Sequence, residues 1–73
     1  MANIAEIDGA GRVLARHESA HTPDYEARIA LGLAVIQPGN WDALRVVPTR
    51  YLKLVLGALE ELSASEQAAV DAA

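Results

Sequence analysis

The residues able to do chemistry are few, and their spacing limits what they can do. His17 and His21 stand four apart, a spacing that on one helix face directs two imidazoles at one metal ion. Here they straddle Ser19-Ala20 ahead of a Thr22-Pro23 turn, with only Glu18 and Asp24 nearby as further ligands. They read as two solvent-exposed loop histidines. Glu60 and Glu61 are adjacent, and neighbours on a strand or helix point in different directions, so they cannot share a proton as a catalytic dyad. Asp8-Gly9-Ala10-Gly11 lacks the third glycine of a dinucleotide fingerprint and the lysine of a phosphate-binding loop, which leaves a turn. Ser19, Ser63 and Ser65 are the only serines, Ser63 is placed to cap a helix, and there is no cysteine nucleophile. The expectation is no catalytic residue, no metal ligand, no cofactor and no enzyme. A small-molecule cleft of ~300–1,000 Å³ exceeds what so short a chain can enclose, so no small-molecule substrate is expected either.

Three apolar side chains are candidates for partner binding. Trp41 follows a Pro38-Gly39-Asn40 turn and is the largest apolar group in the chain. It reads either as the plug of the core or as an interface anchor, since Trp is enriched among binding hot spots. Leu56 would be an exposed apolar tip if residues 56–57 form a turn, and Tyr51 belongs to the same segment.

Seventy-three residues allow one domain, which buries only ~60% of the surface its unfolded chain exposes. The 52% apolar content includes fifteen alanines and no Phe, so the core is thin. Small scaffolds add disulfides, metals or partner subunits, and the absence of cysteine excludes the first. All six Lys and Arg lie in residues 1–53 and are balanced there by six acids. Glu60, Glu61, Glu66 and Asp71 have no base beside them, so the net charge of −4 sits in residues 54–73. Phosphate backbones and anionic lipids repel such a surface, which argues against nucleic acid and membrane partners. The start Met1-Ala2-Asn3-Ile4-Ala5-Glu6 has no basic and apolar signal pattern, and the apolar run Ile29–Ile36 is too short to span a bilayer. A protein made in a cytoplasm is expected.

Turn-forming clusters at 8–11, 21–24, 37–40 and Pro48 divide the chain. Residues 4–17 read as a β-hairpin around Asp-Gly-Ala-Gly, whose two glycines supply the positive φ of a tight loop. In 24–47, Ile29, Leu31, Leu33 and Val35 alternate with small residues as in a strand, while Thr22-Pro23 suits a helix start capped by Thr22. A short helical turn leading into a strand reconciles both. Trp41–Val47 reads as an edge strand stopped by Pro48. Residues 50–62 carry two patterns. Leu52, Val55, Leu56, Leu59 and Leu62 have helical spacing with Thr49 as a cap, yet Tyr51–Val55 is also a strand, followed by Leu56-Gly57 at a two-residue turn. Ser63-Ala64-Ser65-Glu66 is a capping box that opens a new helix over 63–72 and so breaks any continuous one.

Val47-Pro48-Thr49-Arg50-Tyr51-Leu52-Lys53-Leu54-Val55, Gly57-Ala58-Leu59-Glu60-Glu61-Leu62-Ser63, Glu66 and Ala69-Val70-Asp71-Ala72-Ala73 resemble the ending of many small bacteriophage-encoded proteins. There a Tyr-x-Lys-Val-Val strand, an Asp-Gly turn, a second strand and a Val-Asp-Ala helix follow one another. The resemblance covers the last third, and Leu56 and Glu60 depart from it. It implies a hairpin at 51–62 and a virion-associated part.

The expected fold is α+β, a single small β-hairpin-rich domain with a short C-terminal helix. The expected role is a structural or assembly component of a virion, as head decoration or tail or fibre adaptor. It would pair with itself as a homo-oligomer or with larger virion proteins. The alternative is a small acidic regulatory or inhibitor protein acting on a host or phage protein.

Overall fold

The computed structural model describes residues 1–73. The chain folds as α+β, with two antiparallel sheets and a C-terminal helix. β1 (Ala2–Ile7) and β2 (Val13–Ala20) form the N-terminal hairpin, longer at both ends than the pattern indicated. Its turn is held by Asp8, whose Oδ1 accepts the amides of Ala10 and Arg12, each at 2.9 Å. Gly11 supplies the positive φ (86°), while Gly9 does not adopt one, so one glycine suffices where two were expected.

A 3-10 turn (Thr22–Tyr25) and the short helix α1 (Glu26–Ala30) precede β3 (Ala34–Ile36), which pairs with the other side of β1. The period-two alternation therefore does not extend a strand back through Ile29. Gly32, at φ 74°, turns the chain out of α1, and the Leu33 amide returns to the Arg28 carbonyl at 2.8 Å. Thr22 is not the cap: His21 occupies that position and makes no side-chain capping bond.

Alternation along β1 gives the sheet two different faces. Ala5 and Ile7 point into the main core with Val13, Trp41, Leu52 and Leu59. Ile4 and Glu6 point to the other face, beside their cross-strand partners His17, Ile36, Ala15 and Ala34. The 22–30 segment lies over that second face, fastened by Arg28 to Glu6 at 2.9 Å and by the Tyr25 ring against His17.

Residues 41–47 are not an edge strand. They form successive local turns, closed by the amides of Leu44, Arg45 and Val47 on the carbonyls of Asn40, Asp42 and Leu44. Arg16, from β2, makes these turns possible. Its guanidinium donates to the carbonyls of Leu44 (3.0 Å) and Val47 (2.7 Å) and to Thr49 Oγ1 (3.0 Å), filling acceptors that a ladder would otherwise have used.

Thr49–Tyr51 forms a 3-10 turn with Pro48 before it, so Thr49 caps no helix there. β4 (Leu52–Val55) and β5 (Ala58–Glu61) then form a second hairpin, so the strand reading of residues 50–62 is the one adopted. Helical spacing loses because Leu52 and Leu59 face one core from two strands, and both are fully buried. Helix α2 (Ala64–Ala72) begins with both halves of the capping box: Glu66 N to Ser63 Oγ at 3.2 Å, and Ser63 N to Glu66 Oε1 at 3.0 Å. It buries no residue of its own. No helix is long and apolar enough to cross a membrane.

Candidate interaction surface

Leu56 and Gly57 form the two central positions of the β4–β5 turn, at φ 52° and 82°. Two successive positive φ values are the signature of the turn that matches strand twist, and Asn-Gly or Asp-Gly normally supplies them. A leucine there pays twice. Its Cβ crowds the backbone, and its side chain is 102% exposed, so it contributes nothing to the core. Val55 beside it is also exposed, and residues 54–59 carry no charge. The base of the tip is rigid: Leu59 N donates to the Gly39 carbonyl at 2.9 Å and Gly39 N to the Gly57 carbonyl at 3.0 Å. Gly39 sits so close to Ala58 that a Cβ there would approach its methyl to 3.1 Å. The apolar knob is thus held out on a braced hairpin.

The other two expected contact residues have different surroundings. Trp41 is a core residue, only 8% exposed, packed with Ala5, Ile7, Val13, Leu52 and Leu59. The plug reading holds, and an indole already buried by its own chain has little surface left to anchor a partner. Tyr51 is half-buried and occupied: its hydroxyl donates to the Asp71 carboxylate at 2.7 Å, and the Arg50 guanidinium lies over its ring at 4.5 Å. With Lys53 to Glu66 at 3.2 Å and Gln67 to Glu61 at 3.0 Å, these contacts tie α2 to the 3-10 turn and the second hairpin. Arg50 is held further in its charged form by the Tyr51 hydroxyl and by Asp71, while the Ser63 amide, then Lys53, hold the Glu66 carboxyl below its ordinary range.

Of the two histidines expected in an exposed loop, His21 is there and His17 is not. β2 runs on to Ala20, which places His17 within the sheet, half-buried, with Nε2 2.9 Å from Glu6 Oε2. His21 precedes the 3-10 turn and lies 3.4 Å from Asp24. No group of three or more His, Asp or Glu converges as a metal site. Glu60 and Glu61 are both exposed on β5, and Glu60 has neither an ion-pair nor a hydrogen-bond partner.

A feature that sequence reasoning missed is an open depression of about 240 Å³ lined by Arg16, Glu18, Trp41, Arg45 and Thr49. It forms because Arg16 gathers the 44–49 loop against the face of β2 around the Trp41 ring. Arg45 closes the rim through Glu18 and Asp42. Comparison with protein-family models, with curated proteins and with solved structures found no match in any of the three.

Proposed function

We propose that this chain is a non-enzymatic assembly component of a bacteriophage virion, a head decoration or tail or fibre adaptor. It acts through protein–protein contacts made by the Leu56 knob. The observation that carries the contact role is the conjunction at residue 56 of an unfavourable backbone conformation and complete solvent exposure of an apolar side chain. Neither favours the isolated fold, and strain of this kind concentrates where function requires it. The surface depression is lined mainly by polar groups and offers no apolar cleft to receive a leucine. The proposal therefore places the receiving cleft on a larger virion protein. The virion setting rests on the resemblance of residues 47–73 to phage-encoded endings. It is tested by quantitative mass spectrometry of washed, density-purified particles from the phage or prophage encoding the chain. The proposal requires a fixed copy number per particle and loss of the chain from particles carrying Leu56→Asn. Absence from washed wild-type particles overturns it and favours the regulatory alternative.

A further inference from the structure

Six cations serve this chain, and four of them, Arg28, Arg45, Arg50 and Lys53, have a carboxylate partner. Arg12 and Arg16 have none. Arg12 donates to the Arg50 carbonyl at the seam between the sheets. Arg16 instead lines the depression, where neutral acceptors take three of its five N–H groups: Thr49 Oγ1 and the carbonyls of Leu44 and Val47. Two N–H groups and a full positive charge remain. The Thr49 hydroxyl accepts from Arg16 Nε, which leaves its own hydrogen free to donate.

The volume, about 240 Å³, lies below that of sites for free small molecules and suits one side chain. The chemistry selects a carboxylate, which can take the remaining guanidinium hydrogens and the Thr49 hydroxyl together. Glu18 stands at the rim but is drawn to Arg45, and Arg45 also binds Asp42 at 2.7 Å, so Arg45 retains a partner if Glu18 moves aside.

The same molecule carries the complementary group. Residues 54–73 hold four acids and no base, and Glu60 has no partner within its own chain. Gly39 and Asn40 cover the outer side of β5 only at residues 57–59, so Glu60 and Glu61 lie beyond the braced part. We propose that the Arg16 depression is a socket for a carboxylate of a second copy of this chain, presented by Glu60, since Glu61 lies on the opposite face of β5 and is taken by Gln67. This contact is separate from the Leu56 knob, and it gives the assembly role a self-pairing step set by charge.

Sedimentation equilibrium of the full chain up to about 1 mM, the weak end of specific association, tests it at low and high salt. The expected result is self-association that weakens with salt and falls at least about tenfold in the variant Glu60→Gln. Glu60 makes no side-chain contact in the monomer, so the single variant leaves the fold and the Glu61–Gln67 bond intact, and unchanged circular dichroism checks this. Glu26→Gln, which removes another exposed acid on α1, leaves association unchanged. Glu18→Gln strengthens it, because the competing carboxylate is gone. A chain that stays monomeric at about 1 mM, or a Glu60→Gln variant that associates like the wild type, overturns the proposal. Either result leaves the Leu56 contact with a larger partner untouched, since that contact is read separately by Leu56→Asn.

Discussion

Replacing Leu56 by Asn is expected to make the fold more stable while weakening the proposed partner contact. A side chain with a Cβ in the left-handed region costs roughly 1–2 kcal/mol for most residues, and Asn tolerates that region far better than Leu. Leu56 sits there at φ 52°, and because it is 102% exposed its removal forfeits no burial. The expected gain is therefore the relief of backbone strain alone, about 0.5–1 kcal/mol. For a domain of this size each kcal/mol moves the midpoint by roughly 4–8 °C, so Tm rises by about 2–8 °C. Thermal unfolding followed by circular dichroism measures it, with urea unfolding read on Trp41, the only tryptophan, as a second probe. The urea slope stays the same, because the surface exposed on unfolding is nearly unchanged. A Tm equal to or below that of the wild type refutes the reasoning, since Leu56 would then be stabilising the isolated chain through contacts of its own.

The remaining predictions concern the elements that hold the surface in place. Trp41→Ala removes about 3–5 kcal/mol. Total stability for such a chain is of the order of 4–11 kcal/mol, so the variant should show lost near-ultraviolet dichroism or a midpoint shifted far down in urea. Arg16→Met strands the Val47 carbonyl, while the Leu44 carbonyl keeps the Val47 amide, and lowers stability by about 1–3 kcal/mol, measured by urea unfolding. A loss below about 0.5 kcal/mol would show that the 44–49 loop stands without it. The Glu66 carboxyl lies below its ordinary range because the Ser63 amide and Lys53 favour its charged form. Its contribution is then fully present above the ordinary glutamate value of about 4.3 and lost as pH falls through the lower folded value. The Ser63 amide resonance, followed by NMR from pH 6 downward, should report a midpoint below that of a free glutamate, and a midpoint at or above it contradicts the assignment.

Much of the fold was legible because local chemistry decided it. The capping box at Ser63 and Glu66 needs four consecutive residues and nothing else, and both of its bonds are present. The turn at Asp8–Arg12 is likewise self-contained, one carboxylate oxygen serving two amides. Residues 41–47 were not legible for the opposite reason. Their pattern suits a strand, but their carbonyls are claimed by a guanidinium more than 25 positions away, and no local rule reports that. His17 failed in the same way, since its partner Glu6 becomes a neighbour only through the β1–β2 register. At residues 50–62 the helical spacing of leucines was real, yet a strand pair can place Leu52 and Leu59 in the same core, and the tertiary fit decided between them.

Trp41 and Leu56 show how burial separates residues that sequence alone places in one class. Both are apolar, both follow or occupy a turn, and both were candidates to meet a partner. Trp41 is enclosed by residues from both hairpins, so its transfer free energy is already realised within the chain. Leu56 realises none and sits in a conformation that disfavours it. A side chain that stabilises nothing in the isolated molecule gains its apolar burial only when another molecule supplies the surface. In the proposed contact, the bracing of its hairpin by Gly39 would reduce the ordering cost, because the knob is held out in the free chain. The contact therefore depends on the tip remaining rigid as much as on its being apolar. Gly39→Ala, which drives a methyl against Ala58, should weaken partner binding even with Leu56 intact.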